Sequence, residues 1–318
     1  MRLALGTGQP DPQTLSVLRQ ANWKAVLDEA KRQSVTGLVY LAVSRLPEGF
    51  SLPEEIIFRL VSRSRQIELR GQALAKASAD LQAQLEAAGL HPVLMKGAQV
   101  AAFYAEPAFR EYGDIDVYLP PEEELPVAWE AAPDGSAHFA YQGIDVDVHR
   151  HYFDLHRNSA LPPVPSPEAT LLMLSAHTLK HAVGAGIGLR QLCDLAAAYL
   201  ALDGQYNPDS LRSYYKEHRL DRWNKLVNSF LQTELGVPDR LYGGAQPSSD
   251  LLLKMLEEGG NFGHHSASRS KALEQSSLRR KADTALRFIR RLPFSLRYAP
   301  GEALPIFFTL IKGNLLPK

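Results

Sequence analysis

The sequence predicts an α+β protein: a small mixed β-sheet core over residues 90–155, flanked by an N-terminal helical segment (1–89) and a C-terminal helical domain (156–318). Three observations predict it. Apolar residues before Gly89 recur at helical spacing. Residues 91–149 hold short β-branched and aromatic runs broken by Gly and Pro. Helical spacing then returns after Ser166.

In chain order, the clearest helix starts after Pro53. Ile57, Leu60, Ile67, Leu74, Leu81 and Leu85 fall near heptad spacing, and Gly89 serves as its cap. Residues 91–95 read as a short buried strand, Lys96-Gly97 as a turn and 98–104 as a short helix. A strand follows over 115–119, closed by Pro120 and Pro121, and then a small acidic helix over 122–131. Two alternating runs, 137–141 and 144–149, are strands joined by a hairpin turn at Gln142-Gly143. Ser166-Pro167-Glu168 begins a helix, with Ser as cap and Pro at the first helical position, and a second helix spans 189–200. There is no internal repeat and no low-complexity tract.

A chain of 318 residues that is 45% hydrophobic can bury a substantial core in more than one subdomain. Lys plus Arg and Asp plus Glu both number 35, so the formal charge is zero. That argues against a general polyanion-coating protein, while leaving room for a single nucleotide site. The lone Cys193 excludes an internal disulfide framework and fits a reducing compartment. The apolar run before Pro10 is too short for a secretory segment, and no stretch has the length of a membrane span, so the expected location is the cytoplasm.

The chemistry concentrates in the central unit. Asp114 and Asp116 are two residues apart at the start of a strand, so both carboxylates face one way. Their like charges raise each other's proton affinity unless something positive sits between them. Asp145 and Asp147 share the polar face of the 144–149 strand, and either can supply a third carboxylate. Lys96-Gly97 sits where a strand feeds a helix, and Arg110 precedes the paired Asp with a planar fork suited to phosphate. His149 ends its strand where it can contact an acceptor, move a proton or simply cap the strand. A pair of Mg²⁺ ions, with Mn²⁺ as the other candidate, answers to such carboxylates and to substrate phosphates.

Lys96-Gly97, then Arg110, then Gly113-Asp-Ile-Asp-Val117, then Ile144-Asp-Val-Asp-Val-His149 resembles the DNA polymerase β-like nucleotidyltransferase superfamily. More narrowly, it is similar to a bacterial branch of uncharacterised nucleotidyltransferases. Leu174-x-x-His177-x-x-x-His181, Arg190-x-x-x-Asp194 and Gly260-Asn-Phe-Gly263 extend the resemblance over most of residues 91–265. The resemblance implies transfer of a nucleotidyl group from a nucleoside triphosphate to an acceptor hydroxyl on a small molecule, sugar, protein or RNA. It implies that Asp114, Asp116 and Asp147 hold the metals, with Asp147 chosen over Asp145 because the family's acidic residue stands two before the His. Asp147 would also help deprotonate the acceptor, and Lys96, Gly97 and Arg110 would lie near the triphosphate. The sequence departs from the superfamily at Ala98, where a Ser usually follows the Gly. The missing hydroxyl keeps open an alternative, a catalytically inactive nucleotide-binding or regulatory module.

Two other features stand apart. His177 and His181 are four residues apart on one helix face, a spacing compatible with zinc. With Asp194 they define a further alternative, a metal-dependent phosphohydrolase; packed or capping histidines are the plainer reading. No Glu follows His177, so the metalloprotease pattern is missing. Residues 269–297 hold nine Lys and Arg against Glu274 and Asp283, which reads either as a solvated amphipathic helix or as a surface for an anionic acceptor.

Overall fold

A computed structural model of the chain describes residues 1–125, 129, 131–156, 159–184, 186–241, 248–259, 291–303 and 305. Among the described residues the architecture is α+β, with helices and a four-stranded mixed sheet. The chain divides into two units: Met1–Lys31 with Val35–Tyr152, and Arg32–Ser34 with Phe153–Lys318.

The first unit holds the sheet. Its strands are β1 (Val93–Met95), β2 (Ile115–Tyr118), β3 (Ala137–Tyr141) and β4 (Ile144–His149), in the spatial order β1-β2-β4-β3. β2 runs parallel to β4 and antiparallel to β1, while β3 and β4 form the expected hairpin. Its turn places Gln142 at φ 51° and Gly143 at φ 75°, the paired left-handed conformation whose twist suits a two-residue connection.

Alternation sorts the side chains of β2 and β4 between the two faces of the sheet. Ile115, Val117, Val146 and Val148 join Leu74, Ala77, Leu81 and Leu85 of the long helix Glu54–Ala87 in one buried core. The polar residues between them are left for the other face. The helix ends as expected, with Gly89 at φ 82° and the Leu90 N–H returning to the Leu85 carbonyl. Its first turn differs from the expectation. Ile56 is buried and Ile57 is 44% exposed, because Ile56 lies one turn below Leu60 on the same stripe and Ile57 is rotated off it.

Two close approaches fix the route into the candidate site. A methyl group at Gly37 would overlap the Phe109 carbonyl, and one at Gly71 would overlap that of Ala108. Glycine at both positions lets the helices Thr36–Ser44 and Glu54–Ala87 close on the turn Pro107–Phe109, which delivers Arg110.

The acidic helix expected over 122–131 is not found among its described residues, which form a turn and irregular chain. Pro120, Pro121 and Pro126 punctuate the segment, and Glu123 accepts from the His91 backbone N–H at 3.0 Å.

Most described residues of the second unit are helical, and none of them forms a strand. Ser166 caps Pro167–Val183 by accepting from the Ala169 N–H, and Leu189–Ala201 follows. Trp223 is fully buried and donates its indole N–H to Ser175 Oγ at 3.1 Å. Cys193 is buried in Leu189–Ala201, and burial pushes its thiol up to about 12, which leaves it inert. Gly260-Asn-Phe-Gly263 and residues 269–290 of the basic segment lie outside the described residues; 291–298 is helical. Among the described residues, no helix is long and apolar enough to cross a membrane.

Candidate active site

β1 runs directly into a short helix, Lys96–Ala101, and the junction is Lys96 itself, at φ 43°. This left-handed conformation costs a residue with a Cβ about 1 kcal/mol, so the surrounding structure must impose it. The Lys96 ammonium donates to Asp116 Oδ1 at 3.0 Å.

Gly97 is buried, and its lack of a side chain is a packing requirement. A Cβ there would sit 2.8 Å from Tyr112 Cδ2 and 3.2 Å from the Asp114 carbonyl. Arg110, expected beside a triphosphate, is only 4% exposed; it donates to the Gly97 carbonyl at 3.2 Å and lies over the Tyr112 ring. Arg110 and Tyr112 therefore brace the Lys96-Gly97 turn from inside the protein.

Parallel pairing of β2 with β4 sets Asp116 directly opposite Asp147, and Tyr118 opposite His149. Asp145 pairs outward with Ala140 of β3 and is exposed, so Asp147 is the β4 carboxylate beside Asp116. Asp116 is 7% exposed. His149 Nε2 lies 2.6 Å from Asp116 Oδ1, a distance to a carboxylate that requires the proton on Nε2, so the imidazole donates. Lys96 Nζ stands 3.3 Å from the same ring nitrogen.

The two paired aspartates respond oppositely to this environment. Burial raises the Asp114 carboxyl above the usual carboxylate range, and the charges of Asp116 and Asp147 raise it further, with Lys96 opposing them in part. Burial pushes Asp116 the same way, but the His149 hydrogen bond and the Lys96 charge outweigh it and bring the carboxyl down to about 2. The positive partner demanded by two adjacent carboxylates is supplied at Asp116 by the protein itself. Asp147 is 43% exposed along its side chain and accepts at 2.8 Å from Nδ1 of His138, its register partner on β3.

The structure thus brings Asp114, Asp116, Asp147, Lys96 and His149 together, with Gly97 and Arg110 in the layer beneath. Among the described residues, no group of three or more His, Cys, Asp or Glu side chains is arranged to hold a metal ion. Asp116 is turned onto Lys96 and His149, and Asp147 onto His138.

The sequence reading missed His138, although counting outward from the Gln142-Gly143 turn pairs it with Asp147. Tyr112 carried no signal of its contact with Gly97, which is made by packing alone. In the second unit, His177 donates from Nδ1 to Asp154 Oδ2 at 2.9 Å, and its Nε2 lies 3.1 Å from Nε2 of His181. Lys180 also binds Asp154, at 2.7 Å. Asp154 stands in irregular chain, where no periodicity announces it. Asp194 is buried on the Leu189–Ala201 helix.

No curated protein and no solved structure matches the chain. Residues 19–162, which contain the sheet and every side chain of the carboxylate cluster, match the model of a family described as uncharacterised nucleotidyltransferase, and over this segment the chain is similar to that family.

Proposed function

We propose that the chain moves a nucleoside monophosphate from a nucleoside triphosphate to an acceptor hydroxyl, releasing pyrophosphate. The observation that carries this reading is the one-to-one pairing of Asp116 with Asp147 across β2 and β4, with Asp114 close enough for both to raise its carboxyl. The match to a nucleotidyltransferase family supports the reaction class.

The residues divide the work by exposure. Asp116 is enclosed and held ionised, as a fixed electrostatic post must be. Asp147 is partly open, and it is the carboxylate that would take the acceptor proton as the hydroxyl oxygen bonds to the α-phosphorus. The bond from that phosphorus to the bridging oxygen then breaks, and pyrophosphate departs with the electron pair. Lys96, held in its left-handed turn, carries a positive charge beside the triphosphate oxygens. Asp114, Asp116 and Asp147 are hard oxygen donors of the kind that suit Mg²⁺ or Mn²⁺, and they are the residues that would hold it. Bound there, the ion would supply Lewis-acid neutralisation of charge on the phosphate oxygens. It would compete with the Lys96 ammonium for Asp116.

A second reading, a module that binds nucleotide without turning it over, is favoured by that same ion pair and by Ala98 in place of a phosphate-binding hydroxyl.

The test is thermal stability of the wild type and Asp116→Asn against ATP, CTP, GTP and UTP, with and without Mg²⁺, followed by assay of pyrophosphate release. A ligand at a hundredfold excess over its dissociation constant adds about 2.7 kcal/mol to the folded state. A Mg²⁺-dependent shift for one nucleotide, lost in Asp116→Asn, is the expected result. A shift without pyrophosphate release under any acceptor tried selects the binding module. No shift with any nucleotide removes both readings.

A further inference from the structure

The first unit contains a cavity of about 370 Å³ that the carboxylate cluster does not line. It lies between the long helix, which contributes Arg63, Gln66 and Arg70, and the incoming chain, which contributes Arg110, Glu111 and Tyr112. Its volume is within the range of small-ligand sites, about 300–1,000 Å³.

Its exposed rim carries two arginines. Two exposed guanidinium groups, Arg63 and Arg70, line the cavity beside Glu111, which accepts the Thr36 backbone N–H at 2.7 Å. Among the described residues, neither Arg63 nor Arg70 is paired with an acid. Arg63 donates to the Gln66 amide oxygen at 3.2 Å, and Arg70 to the Gly113 carbonyl at 3.3 Å. Both are exposed, while Arg110 is almost fully buried in the wall. Neither exposed arginine is held by a carboxylate among the described residues, so both guanidinium groups are available to an anion at the cavity. Planar guanidinium forks lining a hollow match the oxygens of a phosphate group.

We infer that this cavity is a binding site for a phosphorylated small molecule, with Arg63 and Arg70 as the residues that grip the phosphate. Phosphate binding rests on the cavity's own lining, and only the assignment of its source to donor or acceptor rests on the transfer reading. Its phosphate has two possible sources, the nucleotide donor or a phosphorylated acceptor, and both present the same chemistry to the arginines.

The experiment measures inorganic pyrophosphate binding by calorimetry and thermal shift, without divalent metal and at constant ionic strength. The proteins are the full-length wild type, Arg63→Gln/Arg70→Gln and Asp116→Asn. The arginines exchanged are exposed, so the double variant should keep the wild-type melting point without ligand. Saturable binding to wild type and to Asp116→Asn, at least about tenfold weaker in the double variant, is the expected result. No saturable binding to wild type, or equal binding to all three proteins, overturns the site. Repeating the comparison with ATP and with glucose 1-phosphate assigns the source. The compound whose binding depends more on the two arginines is the one the cavity takes. Because Asp116→Asn tests the carboxylate cluster separately, a failure of either site leaves the other standing.

Discussion

His149 donates to Asp116 across 2.6 Å although the two are not register partners, since Asp116 faces Asp147 and His149 faces Tyr118. The imidazole therefore leans back along β4 over the same sheet face that carries both carboxylates. It is the strongest of the groups that pull the Asp116 carboxyl down to about 2. In His149→Ala, the Asp116 carboxyl should titrate higher, and stability at pH 7 should fall by about 1–3 kcal/mol, since an enclosed charge loses a donor. Carboxyl carbon NMR and denaturant melts measure the two effects.

Lys96 is held at φ 43° and also supplies the ammonium on Asp116, so two substitutions separate backbone from charge. Lys96→Ala and Lys96→Gly lose the charge equally, but only glycine adopts the left-handed turn freely. Lys96→Gly should be the more stable of the two by about 0.5–1 kcal/mol, and both should lose nucleotide-dependent stabilisation. Equal melting points for the two variants would show that the backbone relaxes there.

Gly97→Ala forces a methyl group to within 2.8 Å of the buried Tyr112 ring. Displacing that ring also disturbs Arg110, which rests on it. A loss of about 1–3 kcal/mol in urea unfolding is expected. Part of it should return in Gly97→Ala/Tyr112→Leu, where the smaller side chain admits the methyl group. Absence of any coupling between the two sites would contradict the packing account.

Acid sensitivity should arise at Asp154 in the second unit. Burial raises its carboxyl, but the His177 hydrogen bond and the Lys180 charge outweigh it, and the folded value lies well below the usual carboxylate range. A depressed folded pKa gives stability that is complete above the unfolded value of about 3.9 and is lost as pH falls below it. Asp154→Asn should therefore lower stability at pH 7, by about 2 kcal/mol, and flatten the acid limb below about pH 4. Urea midpoints from pH 6 to pH 2 for the two proteins give the comparison.

The features that could be read in advance were those that short-range geometry dictates. Strand alternation separated Val146 and Val148 from Asp145 and Asp147, and the two-residue turn fixed the β3–β4 register. The Ser166 cap and the Gly89 terminus followed from backbone chemistry within a few residues. The same local logic failed where prolines and a distant partner intervened, as at 122–131, where Glu123 is drawn to His91 instead of continuing a helix.

By itself, the sequence determined the α+β class, the hairpin, and the presence of closely spaced carboxylates with a Lys-Gly turn upstream. Only the tertiary structure decided which groups meet. β2 had to pair with β4 in parallel, across a long stretch of chain, before Asp116 could stand opposite Asp147. Packing against Tyr112 made Gly97 obligatory and turned Arg110 inward, and the long helix brought Arg63 and Arg70 to the same cavity. Such contacts join residues whose separation along the chain carries no period. They are set by register and by close packing of side chains, which act over distances in space and leave no pattern in the sequence.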